Sequence, residues 1–156
     1  MPPDGTDAQR YWEDAQENDA AVPVDFPLSL YRLVMIAGAV RDFSSIHHNE
    51  EIARRHGAPN VFANNTALLV MWERALRDYI GLAGAITQVR GLRMRSFNLV
   101  GDCMTVRARV TGKWLDDDAA EKGYLELSIQ TENSSGDITV GPGQAIVTLP
   151  RRPPGA

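Results

Sequence analysis

The chain has one cysteine, Cys103, in 156 residues. An internal disulfide framework and a cysteine-based zinc cluster are therefore excluded. Lysine is scarce too, since fourteen of the sixteen basic residues are arginine. No apolar run approaches the ~18–20 residues that span a bilayer. The opening Met1-Pro2-Pro3-Asp4-Gly5 lacks the basic start and apolar stretch of a secretory signal. A cytoplasmic protein with no membrane contact is the resulting expectation. What is present is ordinary for a globular domain, 44% hydrophobic and 23% charged. The length fits one domain with a sizeable core.

The net charge of −4 is unevenly placed. Residues 1–25 carry seven acids against one base, Arg10, and the rest carries 15 bases against 13 acids. The body is thus nearly neutral and arginine-rich. Its bases show no aromatic interleaving, which argues against a nucleic-acid partner. Residues 1–9, rich in Pro, Asp and Gly, read as a tail, as do residues 151–156. A single domain over 10–150 lies between them.

Tyr11 and Trp12 suit a first strand, and Val22 to Pro27, with two prolines, suits an edge strand. Ser29 is placed to cap a helix over about 30–40. A polar connection follows, with a short helix near 49–55 ended by Gly57 and Pro59. The clearest helix runs from Asn64 or Asn65 to Ile80. Its run Ala67 to Trp72 is apolar at every position, which predicts burial on most faces and a later emergence into solvent. Four strands then alternate apolar and polar residues: 86–97 with a bend at Gly91, 104–111, 124–130, and 138–149 interrupted at Gly141-Pro142-Gly143. Ser134-Ser135-Gly136-Asp137 reads as a hairpin turn, and Asp116-Asp117-Asp118 as a solvated loop. A buried helix followed by antiparallel strands predicts an α+β fold in which a curved sheet wraps a long central helix at about 64–80, the hot-dog arrangement.

The polar loop holds Asp42 and His47, with Phe43 and Ile46 expected to anchor it against the core. An Asp and a His in a loop are more often a cap and a surface imidazole. On one rigid ridge, however, a carboxylate and an imidazole can grip a water molecule and share its protons. Asp42-Phe43-Ser44-Ser45-Ile46-His47 resembles the Asp-x-Asn-Pro-(aliphatic)-His motif of the MaoC-like (R)-specific enoyl-CoA hydratase family. Arg93 to Phe97, Gly101-Asp102 and Met104 to Val110 resemble that family's strand, Gly-Asp turn and strand. Arg10 to Asp14 resembles its opening stretch, so the resemblance covers about residues 10–150. Ser44 and Ser45 replace the family's Asn and Pro, Arg41 replaces a Gly, and Ala63-Asn64-Asn65 stands where a Gly precedes the buried helix. In these variants the chain looks most like the small hydratase subunits of actinobacterial steroid side-chain degradation.

The resemblance implies hydration of a 2-enoyl acyl-CoA to a 3-hydroxyacyl-CoA, with Asp42 as base and His47 orienting the water. Backbone N–H groups of Ala63, Asn64 or Asn65 would hold the thioester oxygen. Arg93, Arg95 and Arg107 are candidates for the CoA phosphates. No metal or cofactor is implied, coenzyme A being part of the substrate. The implied partner is a second hot-dog hydratase chain, or otherwise a second copy.

Two other readings stay open. A hot-dog acyl-CoA thioesterase would use a carboxylate on the buried helix, Glu73 or Asp78. A non-catalytic hot-dog subunit would only complete a partner's site. Among remaining residues, His48 reads as a solvated neighbour, His56 as a helix cap, Asp102 as a turn residue and Cys103 as packing.

Overall fold

The structure, a computed structural model, describes residues 9–115 and 121–153. The expected tails at 1–8 and 154–156 and the Asp116–Asp118 loop lie outside the described residues. The elements are β1 (Val24–Pro27), α1 (Leu30–Ala39), α2 (Glu50–Arg55), α3 (Asn65–Ile80), β2 (Ala85–Arg90), β3 (Cys103–Leu115), β4 (Lys122–Glu132) and β5 (Ile138–Pro150). The strands form one antiparallel sheet in the order β1-β3-β4-β5-β2. This curled sheet packs on α3, giving the α+β hot-dog fold.

The side chains of α3 explain the wrapping. Leu68, Trp72, Leu76 and Ile80 are fully buried, and Ala67, Met71, Ala75 and Tyr79 form a second buried row. Four residues overshoot a helical turn by about 40°, so the stripe creeps around the axis. A twisted sheet can follow such a stripe. It is met by Met104, Val106 and Val110 of β3, Leu125, Leu127 and Ile129 of β4, and Val140, Ala145 and Val147 of β5. The helix is less enclosed than its apolar run predicts. Leu69 and Val70 are 43% and 44% exposed, because one sheet covers one side. Nor does the second half emerge, since Leu76 and Ile80 stay buried.

Trp72 is the largest fully buried side chain. Its Nε1 donates to Thr131 Oγ1 at 2.8 Å, so its one polar atom is satisfied. The expected irregularity at Gly141-Pro142-Gly143 serves this ring. A Cβ at Gly143 would stand 2.8 Å from the indole and 2.4 Å from the Arg90 carbonyl oxygen. Only glycine lets β5 approach both.

Several edges depart from expectation. Tyr11 and Trp12 do not start a strand. Asp14 accepts from the Tyr11 N–H at 3.0 Å, which closes a one-turn 3-10 helix at Trp12–Asp14. Residues 18–21 instead pair with Val110, Arg109 and Ala108, extending the β1 edge of the sheet. β2 ends at Arg90, because Gly91 turns away with φ +71°. Gln9, expected in the tail, donates to the Ile80 carbonyl at 2.9 Å and accepts from Ala83 N–H at 2.8 Å. The Ile80 carbonyl is one of those that the end of α3 leaves without a helical partner. Arg151 and Arg152, expected in the other tail, pair with Glu13 and Asp14.

Those two acids titrate below their ordinary values. Slight desolvation raises the Glu13 pKa, but bonds from Arg152 N–H and Arg151 outweigh it. For Asp14 the Tyr11 N–H leads, helped by Arg152. Their contribution is present above the ordinary values of 4.5 and 3.8 and is lost as pH falls through the lower folded ones. The variant Glu13→Gln/Asp14→Asn should therefore lose less stability than wild type on acidification below pH ~4, read from thermal midpoints against pH. Gly143→Ala should cost about 1–3 kcal/mol by overpacking. Gly38→Ala, where a Cβ meets nothing within 4 Å, should add about 0.5–1 kcal/mol through helix propensity. Denaturant midpoints of the two variants check the pair.

Candidate active site

Asp42 follows α1 directly. Its N–H donates to the Ala37 carbonyl at 2.9 Å, closing the helix end. Arg41 between them has φ +57°, the left-handed conformation of a helix stop. The chain then makes one 3-10 turn, Ser45–His47, which brings His47 back beside Asp42. Phe43 does not anchor this loop, being 75% exposed. Ile46 does, packing with Ala53, Ala58, Phe62 and Leu99. His47 anchors it further, being only 6% exposed and edge-on to Phe62 with centroids 4.9 Å apart.

The hydrogen bonds of His47 determine its chemistry. Nδ1 lies 2.9 Å from the Phe62 carbonyl oxygen. A carbonyl only accepts, so Nδ1 carries a proton. In the neutral ring Nε2 is then a bare acceptor, and it faces Asp42 Oδ2 at 3.4 Å. An ionised carboxylate is an acceptor as well. Two acceptors at that distance do not bond each other, but a water about 2.8 Å from each can donate one hydrogen to both. Asp42, with its side chain 35% exposed, opens this slot to solvent.

The start of α3 completes the site. Asn64 Oδ1 accepts from Ala67 N–H at 2.7 Å, capping the helix. Its Nδ2 donates to Asp42 Oδ2 at 2.9 Å. Ser44 N–H reaches the other carboxylate oxygen at 3.3 Å. Of the three expected oxyanion donors, Ala63 is ruled out. Its N–H is bonded to the Asn98 carbonyl at 2.9 Å, because residues 61–63 pair with 98–100. The N–H groups of Asn64 and Asn65 have no protein acceptor among the described residues. They sit at the positive end of a 16-residue helix.

The expected arginines are not gathered here. Arg107 pairs with Glu132 at 2.7 Å, and Arg95 Nε bonds the Gly141 carbonyl. Arg93 is exposed, with no side-chain partner among the described residues. Glu73 and Asp78 lie on the solvent side of α3, facing Arg77 at 3.9 Å and Arg74 at 2.8 Å. His48 is exposed, and His56 Nδ1 lies 2.9 Å from the Ile52 carbonyl at the end of α2. Asp102 takes the turn role. Some burial raises its pKa, but bonds from Ser134 and the Cys103 N–H hold it below the usual carboxylate value. The Asn64 side chain is the residue that sequence reasoning missed. An Asn at an N-cap uses only its oxygen, so its free NH2 was the available signal.

The fold is that of solved hot-dog chains described as an (R)-hydratase and a MaoC-like dehydratase. No family model matches the chain. It is 27% identical over 105 residues to the 3-oxo-4,17-pregnadiene-20-carboxyl-CoA hydratase beta subunit of Mycobacterium tuberculosis, covering 67% of this chain and 75% of that protein. A chain of the ChsH1-ChsH2 complex from the same organism superposes with a TM-score of 0.74 at 21% identity, covering 87% of this chain and 98% of the other. The MaoC-like dehydratase from Rhodospirillum rubrum gives 0.77 at 19% identity, covering 92% and 99%. The sequence likeness is thus to that beta subunit, and the likeness to the MaoC-like structures is one of fold.

The site geometry fixes one spectroscopic outcome. The 15N resonances of the neutral His47 ring should show the Nδ1–H tautomer. An Nε2–H tautomer would remove the acceptor that the water slot requires.

Proposed function

We propose that this chain hydrates a 2-enoyl acyl-CoA to the 3-hydroxyacyl-CoA, with Asp42 and His47 activating the water. The observation that carries the reading is the paired acceptors, Nε2 and Oδ2, joined through the Asn64 side chain to the first turn of α3. Asp42 takes one proton as the water oxygen bonds Cβ. The displaced electron pair moves through Cα to the thioester oxygen, forming an enolate. The N–H of Asn64 or Asn65 receives that charge, a contribution of about 3 kcal/mol to the barrier for one such donor. The proton held at the dyad then passes to Cα, and the enolate collapses to the thioester. Water is the only reactant added, so the proposal requires no metal or redox cofactor.

The finer parts rest on likeness. The pregnadiene carboxyl-CoA named for the curated relative supports a steroid side-chain acyl group. The ChsH1-ChsH2 complex supports a heteromer with a second hot-dog chain, the alternative being a homodimer. The α1 face leading to Asp42 is consistent with such cover, since Tyr31, Met35 and Phe43 are all more than half exposed. Arg93 is the arginine left for a CoA phosphate. The acyl-CoA setting accords with a cytoplasmic location, and no helix among the described residues is long and apolar enough to cross a membrane. A thioesterase is disfavoured because Glu73 and Asp78 face arginines on the solvent side.

The test is an assay on crotonyl-CoA and on a steroid enoyl-CoA, with the chain alone and with a co-expressed second hot-dog chain. Enoyl absorbance should fall without release of free thiol. Asp42→Asn and His47→Gln should each lower kcat by at least ~100-fold, the usual scale of lost acid–base catalysis. Free thiol, or an unchanged rate in Asp42→Asn, would overturn the reading.

A further inference from the structure

We propose that Asn64 is a positioning residue that aims the Asp42 carboxylate. The proposal rests on the hydratase reading of the dyad and adds a residue to it. The Asn64 side chain is 7% exposed, so both ends of its amide need partners. The Ala67 N–H, at 2.7 Å, can only donate, so the atom facing it is the amide oxygen. The NH2 group is thereby turned toward Asp42, with Nδ2 2.9 Å from Oδ2. The amide cannot flip without placing two donors together at the helix and two acceptors together at Asp42. One side chain therefore locks the first turn of α3 to the carboxylate that faces His47.

Oδ2 is the same oxygen that lies 3.4 Å from His47 Nε2. A donor on it fixes where the water-binding lone pairs point. The only other donor to this carboxylate among the described residues is Ser44 N–H, at 3.3 Å on Oδ1. Ser44 stands where the resembling family carries an Asn, so an amide from the helix cap meets a carboxylate whose loop offers only a hydroxyl side chain. The cap also aligns the N–H groups of Asn64 and Asn65. Water activation and oxyanion binding thus share one hinge-free support.

The test separates capping from aiming. Asn64→Asp and Asn64→Ser both keep an oxygen for the Ala67 N–H but lose the NH2 donor. Both should lower kcat about 10- to 100-fold, the scale expected for a displaced reacting group, and Asn64→Ser, which adds no charge, should keep the thermal midpoint near wild type. KM should change less than twofold, since substrate-binding groups are untouched. Asn64→Asp should be the more impaired, because it sets a second carboxylate against Asp42. Asn49→Asp is the control: Asn49 Oδ1 caps α2 through Ile52 N–H at 3.1 Å and has no hydrogen bond to Asp42 or His47 among the described residues. It should leave both kcat and KM unchanged.

If Asn64→Ser and Asn64→Asp keep wild-type kcat while Asp42→Asn loses it, the positioning role is wrong and the hydratase reading stands. If wild type hydrates no enoyl-CoA even with a partner, that reading is the one lost. The aiming bond is then read directly, from the 13C carboxylate resonance of Asp42. It should move in Asn64→Ser and stay in place in Asn49→Asp, and an unmoved resonance would sink the proposal.

Discussion

The contact between Trp72 and the glycines of β5 carries the architecture. An indole of that size at the middle of a 16-residue helix must be covered on one whole side. The sheet supplies the cover by bringing a strand without side chains, Gly141 and Gly143, against the ring. The nearby register shift in the β4–β5 pairing accommodates that approach. Thr131 on β4 answers the indole N–H. The helix thereby sets how closely the strands draw in, and the curl of the sheet follows from its stripe.

Anchored in this way along its length, α3 has a well-placed first turn, and the site is built on that turn. The segment before it is held by pairing between 61–63 and 98–100. This orients the Phe62 carbonyl toward His47 and takes Ala63 out of the chemistry. Burial of His47 then works through hydrogen bonding, since the ring has one polar partner on the protein side and one acceptor toward the dyad. Phe62, edge-on to the imidazole and itself packed against Phe97, fixes the ring plane. Preorganisation of this kind lowers what must be rearranged during reaction.

The departures from the resembling motif acquire physical meaning in the fold. A glycine precedes the aspartate in that family, and here Arg41 takes the left-handed conformation that glycine adopts freely. Such a backbone costs a non-glycine residue of order 1–2 kcal/mol. It persists because Asp42 N–H must reach the Ala37 carbonyl. Ala63 in place of a glycine does not abolish helix N–H donors. Among the described residues the free ones are those of Asn64 and Asn65, because the Ala63 N–H is bonded to the Asn98 carbonyl.

Much of this was readable along the chain. Ser29, Asn64 and Gly57 marked helix ends because capping is local chemistry. Strand alternation at Met104, Val106 and Val110 marked a one-sided sheet, and Asp42 and His47 stood out by residue type and spacing. Other features needed the fold. Phe43 looked like an anchor because its apolarity is visible, whereas its exposure depends on where the loop ends. Ala63 looked like an oxyanion donor because its N–H lies before a helix, but the Asn98 carbonyl, 35 residues away in a connecting segment, had already claimed it. Arg95 and Arg107 looked free until Gly141 and Glu132 were brought beside them. The amino-acid order by itself determined the helices, the strand periodicity and the presence of an Asp and a His one loop apart. Only the tertiary structure decided that Nδ1 of His47 is protonated and that Asn64 grips Asp42, because both depend on donors and acceptors distant in sequence.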